Sequence, residues 1–176
     1  NAPDRADGIV SGAQDSIGIC MPGLVRHWYD NRFWPDKIES CHDEAVLSWL
    51  EDHLCMVPMF PRRPGCSVVE GKDITKPKVE ALAKAADDCW KAILARDLAG
   101  FAAAYKASFE AQVAMFPAMI QPGVPEYIDK YGSMDGVLAW KMPGAGGGGY
   151  LALVCADRAH FPEGAIELHI RRRGTL

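Results

Sequence analysis

The residues best suited to chemistry in this chain are a run of glycines and one aspartate. Five of the six positions from Gly144 to Gly149 are glycine, and such a run inside a folded domain costs conformational entropy. Either the backbone turns sharply there, or a ligand approaches it closely. Asp15 lies between Gln14 and Ser16 in a stretch of small residues. A carboxylate in that setting can act as a base toward a hydroxyl, or it can cap a helix.

Two short apolar stretches flank the glycine run, residues 136–141 and 150–155. Both are typical of buried strands, so the pattern predicts strand, glycine loop, strand. The letters G-x-G-x-x-G occur within the run, but a dinucleotide site needs a helix after them, and no helix signal follows. A Walker loop would need lysine where Tyr150 stands. A flexible hairpin without a ligand stays open as an alternative.

The composition is typical of a globular domain. The 176 residues are 49% hydrophobic and 24% charged, enough for one sizeable core. The net charge of -4 argues against a nucleic-acid partner, because such a surface needs a basic face. No membrane-spanning stretch or signal peptide is visible. The six cysteines are dispersed, so we expect reduced thiols, no metal site and a cytoplasmic location.

Several polar groups have two interpretations each. Arg171 to Arg173 form a basic cluster that is more often a solvated tail than a phosphate contact. Arg62 and Arg63 could meet an anionic sugar phosphate, although a solvated turn is the default. Glu110 and Gln112 could line a cleft that faces the glycine loop, although an exposed helix face explains them as well.

The hydrophobic periodicity and the residues typical of helix and strand ends predict the secondary-structure elements. The predicted helices are Asp43 to His53, Pro77 to Ala95 with Thr75 as N-cap, Leu98 to about Met115 with Asp97 as cap, and Pro125 to Tyr131. The predicted strands are a hairpin of residues 24–29 and 33–38, a strand at 54–60 in which Pro58 points to an edge or bulge, and strands near 136–142, 149–156 and 164–172. Without a regular βαβ alternation, this order predicts an α+β fold, an antiparallel sheet covered by two long helices.

Together, the segments around Asp15 and Gly144 resemble the GHMP small-molecule kinases, named for galactokinase, homoserine kinase, mevalonate kinase and phosphomevalonate kinase. The sugar kinases among them look most similar. Residues 141–150, K-M-P-G-A-G-G-G-G-Y, are similar to the family's third motif, a glycine loop close to the bound substrates. Residues 11–16, S-G-A-Q-D-S, resemble the segment in which these kinases carry an aspartate before a short helix.

This resemblance implies a fold, an activity and a set of site residues. The fold would be the ferredoxin-like sandwich of the GHMP C-terminal domain over residues 24–176, with residues 1–23 as a remnant of the N-terminal domain. The activity would be transfer of the γ-phosphate of ATP to a hydroxyl of a sugar or sugar phosphate, with Mg²⁺. Asp15 would be catalytic, and Gln14 and Lys141 would contact substrate. The loop that binds substrate or phosphate would comprise Gly144, Ala145, Gly146, Gly147, Gly148 and Gly149.

Family members carry two further motifs upstream, one of which wraps the phosphates of ATP. The chain begins at Asn1 without methionine, so we expect a start inside a longer gene or processing. By itself the chain is expected to bind ATP and Mg²⁺ weakly and to have little kinase activity. The alternative is a non-catalytic sugar-binding or assembly module with the same fold. Surface left by a missing N-terminal half could drive homodimer formation.

Overall fold

The structure, a computed structural model, describes residues 13–30, 32–62 and 67–174. Two compact units divide the chain: Asn1–Leu47 with His169–Leu176, and Ser48–Leu168. The described residues form an α+β structure with two antiparallel sheets and five α-helices, in agreement with the predicted class. None of these helices has the length and apolar character needed to cross a membrane. The predicted division after residue 23 follows the family pattern and stays a prediction.

The first unit contains helix α1 (Gln14–Cys20) and a hairpin of β1 (Leu24–Trp28) and β2 (Lys37–Cys41). The hairpin confirms the prediction, but its second strand begins at Lys37 instead of residue 33. The connection between β1 and β2 is longer than predicted. The Asp36 amide donates to the Trp28 carbonyl at 2.8 Å, and this bond closes the turn directly before Lys37. Pro35, which has no amide proton, lies inside that turn.

The C-terminal arginines are tied into the first unit. The Arg172 guanidinium forms a two-point ion pair with Glu44, with Nε to Oε2 at 2.9 Å and Nη2 to Oε1 at 2.6 Å. The Arg171 carbonyl accepts the Gly23 amide at 2.8 Å, and the Arg171 side chain donates to the Cys20 carbonyl. The solvated-tail interpretation is therefore wrong for these two residues.

Helix α2 (Glu44–His53) agrees with the predicted helix. The Asp43 carboxylate caps it, accepting the Ala45 amide at 2.9 Å. Val46, Leu47 and Leu50 are buried on one face, as their spacing predicts.

The four-stranded sheet of the second unit consists of β3 (Leu54–Pro58), β4 (Val137–Lys141), β5 (Tyr150–Cys155) and β6 (Ile166–Glu167). Its order is β4-β5-β3-β6, and each neighbouring pair is antiparallel. Strand β6 is far shorter than the predicted strand at 164–172 and pairs only with Cys55 and Met56. Strand β3 lies between β5 and β6, and Pro58 is its last residue. Because β6 does not extend as far as Pro58, the missing amide proton of Pro58 removes no hydrogen bond to β6.

Three helices of the second unit follow β3: α3 (Lys76–Ala95), α4 (Leu98–Met115) and α5 (Val124–Gly132). All three agree with predicted helices. Helices α3 and α4 pack on each other, and α4 packs on β4. One buried apolar cluster joins strands and helices; its members are Cys55, Val57, Phe109, Met119, Val124, Tyr131, Met142, Leu151, Leu153 and Cys155.

The predicted caps of α3 and α4 differ in outcome. Asp97 accepts the Gly100 amide at 3.0 Å and caps α4 as predicted. Thr75 occupies the N-cap position of α3 as predicted, but its side chain makes no capping bond. Pro at the second helical position already removes one amide that a cap would serve.

We expect Asp97→Ala to lower the free energy of unfolding by about 1 kcal/mol, because it removes a side-chain acceptor from the first turn of α4. Asp97→Asn should retain most of the stability. Thr75→Ala is the matched control and should change stability by a few tenths of a kcal/mol at most, since no bond is lost. Urea unfolding of the four proteins measures this; equal losses at the two caps would contradict the assignment.

Candidate functional site

The glycine loop, residues 142–149, connects β4 to β5. The Cα atoms of Lys141 and Ala152 are register partners directly beside it. Met142 and Leu151, at the two ends of the loop, are completely buried. The predicted arrangement of strand, glycine loop and strand is therefore confirmed. A residue of the hydrophobic core lies at or next to each end of the loop.

Every glycine in the loop has a positive φ. The values are 66° at Gly144, 73° at Gly146, 75° at Gly147, 133° at Gly148 and 92° at Gly149. Side chains with a Cβ rarely take this conformation. At Gly148 a second constraint applies, because a Cβ would lie 2.8 Å from the Phe60 carbonyl oxygen. The backbone conformation of the loop therefore requires glycine at these positions. Flexibility alone does not explain the glycine run.

Backbone hydrogen bonds fix the second half of the loop. The Gly147 amide donates to the Met119 carbonyl at 3.0 Å, and the Gly149 amide donates to the Phe60 carbonyl at 2.8 Å. The Met59 amide returns a bond to the Gly149 carbonyl at 2.8 Å. The short 3₁₀ helix Pro117–Met119 and the chain after β3 therefore hold the loop in one shape.

Two side chains fix the first half of the loop. Gln112 on α4 donates from Nε2 to the Gly144 carbonyl at 3.0 Å, and its Oε1 accepts from Lys141 Nζ. Arg62 donates from Nε to the Gly146 carbonyl at 3.0 Å. The prediction that Gln112 faces the glycine loop is confirmed, whereas Glu110 is exposed. Arg62 is exposed to solvent, as the default interpretation expects, and it is also bonded to the loop; Arg63 lies outside the described residues.

Three amides of the loop are not used in this scaffold. Within residues 13–30, 32–62 and 67–174, no acceptor bonds the N–H groups of Gly144, Ala145 or Gly148, whereas the Gly146 amide closes the turn at residues 144–145. Gly148 is buried, while Gly144 and Ala145 are exposed. Buried amides without a partner are rare in proteins. Adjacent amides without an acceptor, such as those of Gly144 and Ala145, can form the kind of concavity that binds anions.

Two positively charged side chains, Lys141 and Arg62, lie at the loop. Lys141 and Arg62 form ion pairs with no carboxylate in the described part of the chain, whereas Lys78 pairs with Asp73 at 2.5 Å and Arg158 with Asp52 at 2.6 Å. Burial lowers the pKa of Lys141 from 10.5 to about 8, an effect that the nearby Cys89 partly offsets. A half-buried ammonium without a carboxylate partner, at the start of a loop with three unused amides, favours a negatively charged ligand.

The helices behind Lys141 contribute two further titratable groups. Burial raises the pKa of the Cys89 thiol on α3 to about 11. Burial also raises the pKa of the Tyr105 phenol on α4. Both groups are therefore neutral at pH 7, and neither supplies a counter-charge for Lys141. Neither Cys89 nor Tyr105 belongs to a predicted site, because their positions in the helices predict only that they pack towards the core.

Asp15 lies in the first turn of α1, in the first unit, and its side chain is exposed. It is not the N-cap, because Ala13 occupies that position and makes no side-chain bond. Of the two interpretations of Asp15, the helix cap is therefore wrong. A carboxylate in the first turn interacts favourably with the positive end of the helix dipole. Gln14 is exposed beside it.

No protein-family model matches the sequence, and no curated protein matches it. Among solved structures, the chain is similar to that of MDDEF in complex with MVAPP, with 13% sequence identity and a TM-score of 0.46. The match covers 74% of this chain and 45% of the other, so this chain spans less than half of that protein chain's length. A likeness at this TM-score supports no conclusion about fold or function.

We expect Gly148→Ala to destabilise the second unit more than Gly144→Ala does. Both variants place a Cβ on a residue with positive φ, which costs about 1 to 2 kcal/mol. Only Gly148→Ala also forces a Cβ against backbone atoms of Phe60 and Arg62, while a Cβ at Gly144 meets nothing within 4 Å. Urea or thermal unfolding compares the two; a larger loss for Gly144→Ala would contradict the loop geometry.

The pKa of Lys141 predicts how stability depends on pH. In the unfolded chain the amine holds its proton up to about 10.5, but in the folded chain only up to about 8. Between these values the unfolded state binds more protons, so this residue makes stability rise with pH. The free energy of unfolding of the wild type, minus that of Lys141→Met, should therefore increase from pH 8 to pH 10. Urea unfolding at several pH values measures it, and a constant difference would contradict the buried ammonium.

Proposed function

We propose that this chain is the C-terminal part of an ATP-dependent sugar or sugar-phosphate kinase of the GHMP type. The observation that carries the proposal is the glycine loop: five left-handed glycines between two buried strands, with three unused amides and two cations at its edge. This agrees with the sequence resemblance of residues 141–150 to the family's third motif. The packing of α3 and α4 together and of α4 on β4 supports the finer assignment to the ferredoxin-like C-terminal domain.

The loop suits phosphoryl transfer for a physical reason. That reaction asks the protein mainly for positioning and for stabilisation of negative charge on phosphate oxygens. Gln112 holds the Gly144 carbonyl, and Met119 and Phe60 hold the amides of Gly147 and Gly149. The remaining amides of the loop are therefore already oriented and need no rearrangement when charge develops. The loop therefore serves as one wall of the proposed site.

Asp15 supplies the second part of the proposed mechanism. An exposed carboxylate at the start of a helix can accept the proton of a sugar hydroxyl, or orient that hydroxyl for attack on the γ-phosphate. The proposal that Asp15 acts with the loop rests on the family pattern, because the two lie in different units of the chain.

The described residues contain no group of three or more His, Cys, Asp or Glu side chains placed to hold a metal ion. In kinase sites Mg²⁺ is commonly held by substrate phosphates and waters with only one or two carboxylates. ATP and Mg²⁺ therefore stay part of the proposal through the resemblance, with the loop amides, Lys141 and Arg62 as the groups here that fit phosphate oxygens.

We expect Asp15→Ala to abolish ADP release in the chain extended upstream through its gene, with little change in the unfolding temperature, because Asp15 is exposed. Glu44→Gln is a control carboxylate of the same unit and should leave turnover within a few-fold of the wild type. Near-normal turnover by Asp15→Ala would remove Asp15 from the mechanism. A coupled ADP assay with candidate sugars and sugar phosphates provides the measurement.

The same assay on the unextended chain should give little turnover. Full activity there would contradict the need for an upstream phosphate-binding motif. Absence of turnover in the extended protein, together with retained sugar binding, would favour the alternative of a non-catalytic sugar-binding module.

A further inference from the structure

Helix α3 carries more apolar surface than its packing within the chain buries. Its buried residues are Ala85, Ala92 and Ile93, and the helix packs on α4. Beside them lies a second row of apolar residues, spaced three or four apart and therefore on one side of the helix. We call this row the α3 stripe; its members are Val79, Ala83, Ala86, Trp90 and Leu94.

The α3 stripe is open to solvent over most of its length. Val79 is 46% exposed and Leu94 is 40% exposed. The two alanines between them, Ala83 and Ala86, are also exposed, and Trp90 is half-buried. A contiguous apolar row on the surface of a helix is typical of a contact with another protein surface.

Ion pairs border the α3 stripe on the side away from the buried residues. Each joins a lysine to a carboxylate one helical turn away, at N–O distances between 2.5 and 3.7 Å; the pairs are Lys76–Glu80, Lys84–Asp88 and Asp87–Lys91. Apolar residues at a spacing of three and four, with charges of both signs along their border, are typical of helices that pair with each other.

The order of large and small residues in the α3 stripe is complementary to itself. In an antiparallel pair of α3 helices with a two-fold axis between Ala86 and Asp87, Val79 of one copy lies opposite Leu94 of the other. The large Trp90 then lies opposite the small Ala83, and the Ala86 residues beside the axis let the two backbones approach closely. A two-fold dimer requires a surface that matches itself in this way.

The charged border matches in the same arrangement. Antiparallel packing brings the charged border of one helix against the same border of the other. Lys84 of one copy then lies close to Asp88 of the other, so opposite charges meet. A parallel pair would instead place each residue opposite itself, with Trp90 against Trp90. Both side-chain size and charge therefore favour a second copy in the antiparallel direction.

We propose that the α3 stripe is a dimer interface, on which a second copy of this chain packs its own α3 antiparallel. The stripe is about 22 Å long and one helix wide. An interface of this size is at the low end for specific contacts, so the dimer should have a dissociation constant in the micromolar range. The inference is independent of the proposed kinase function, because the residues of the stripe take no part in the candidate site.

The test is sedimentation equilibrium of the chain from low micromolar to near-millimolar concentration. We expect a reversible equilibrium between monomer and dimer. Ala86→Glu places two carboxylates beside the two-fold axis and should weaken dimerisation at least about tenfold. Glutamate is a good helix former and Ala86 is exposed, so the variant should fold like the wild type.

Ala81→Glu is the matched control, because Ala81 is an exposed residue of the same helix that lies outside the α3 stripe. It should dimerise like the wild type. A wild type that stays monomeric at every concentration would overturn the proposal. So would an Ala86→Glu variant that dimerises as tightly as the wild type, or equal weakening by Ala81→Glu.

Cross-linking tests the direction of the two helices, and it does not depend on the folding of Ala86→Glu. Chains carrying Val79→Cys and Leu94→Cys are mixed and treated with a short bismaleimide, and the linked peptides are identified by mass spectrometry. We expect links between position 79 of one chain and position 94 of the other. Links between two copies of position 79 would show a parallel pair and contradict the proposed arrangement.

Discussion

The hydrogen bonds of the Gln112 side chain are the interaction on which the candidate site depends. One amide group connects three elements: helix α4, the last residue of β4 through Lys141, and the first glycine of the loop through the Gly144 carbonyl. Because the amide is neutral, it positions the Lys141 ammonium without cancelling its charge. The same bond keeps the Gly144 carbonyl turned towards α4, and the neighbouring amides are left unused.

The rest of the second unit supports this arrangement. Met142 and Leu151 attach both ends of the loop to the core, and Met119 and Phe60 accept amides from its second half. Helix α4 is fixed in turn by the Asp97 cap and by its packing on α3 and β4. Because these contacts already order the loop in the folded protein, little further conformational entropy is lost when a ligand binds.

Much of this could be predicted from the sequence, and the contacts that could not are mainly between distant residues. The helices and the Asp97 cap follow from local periodicity and end chemistry, and the glycine loop follows from its flanking strands. The bond from Arg62 to Gly146 joins residues 84 positions apart, and no local pattern encodes it. The reduction of the predicted strand at 164–172 to Ile166–Glu167, and the pairing of those residues with β3, are likewise set by tertiary contacts.

The most direct test of the account follows individual loop amides in a nitrogen–proton correlation spectrum while a phosphate-bearing ligand is added. The account predicts large shifts for the amides of Gly144, Ala145 and Gly148, which have no acceptor among the described residues. The amides of Gly147 and Gly149 should move far less, since Met119 and Phe60 already bind them. Shifts confined to residues outside the loop would contradict the claim that this glycine loop is a phosphate site.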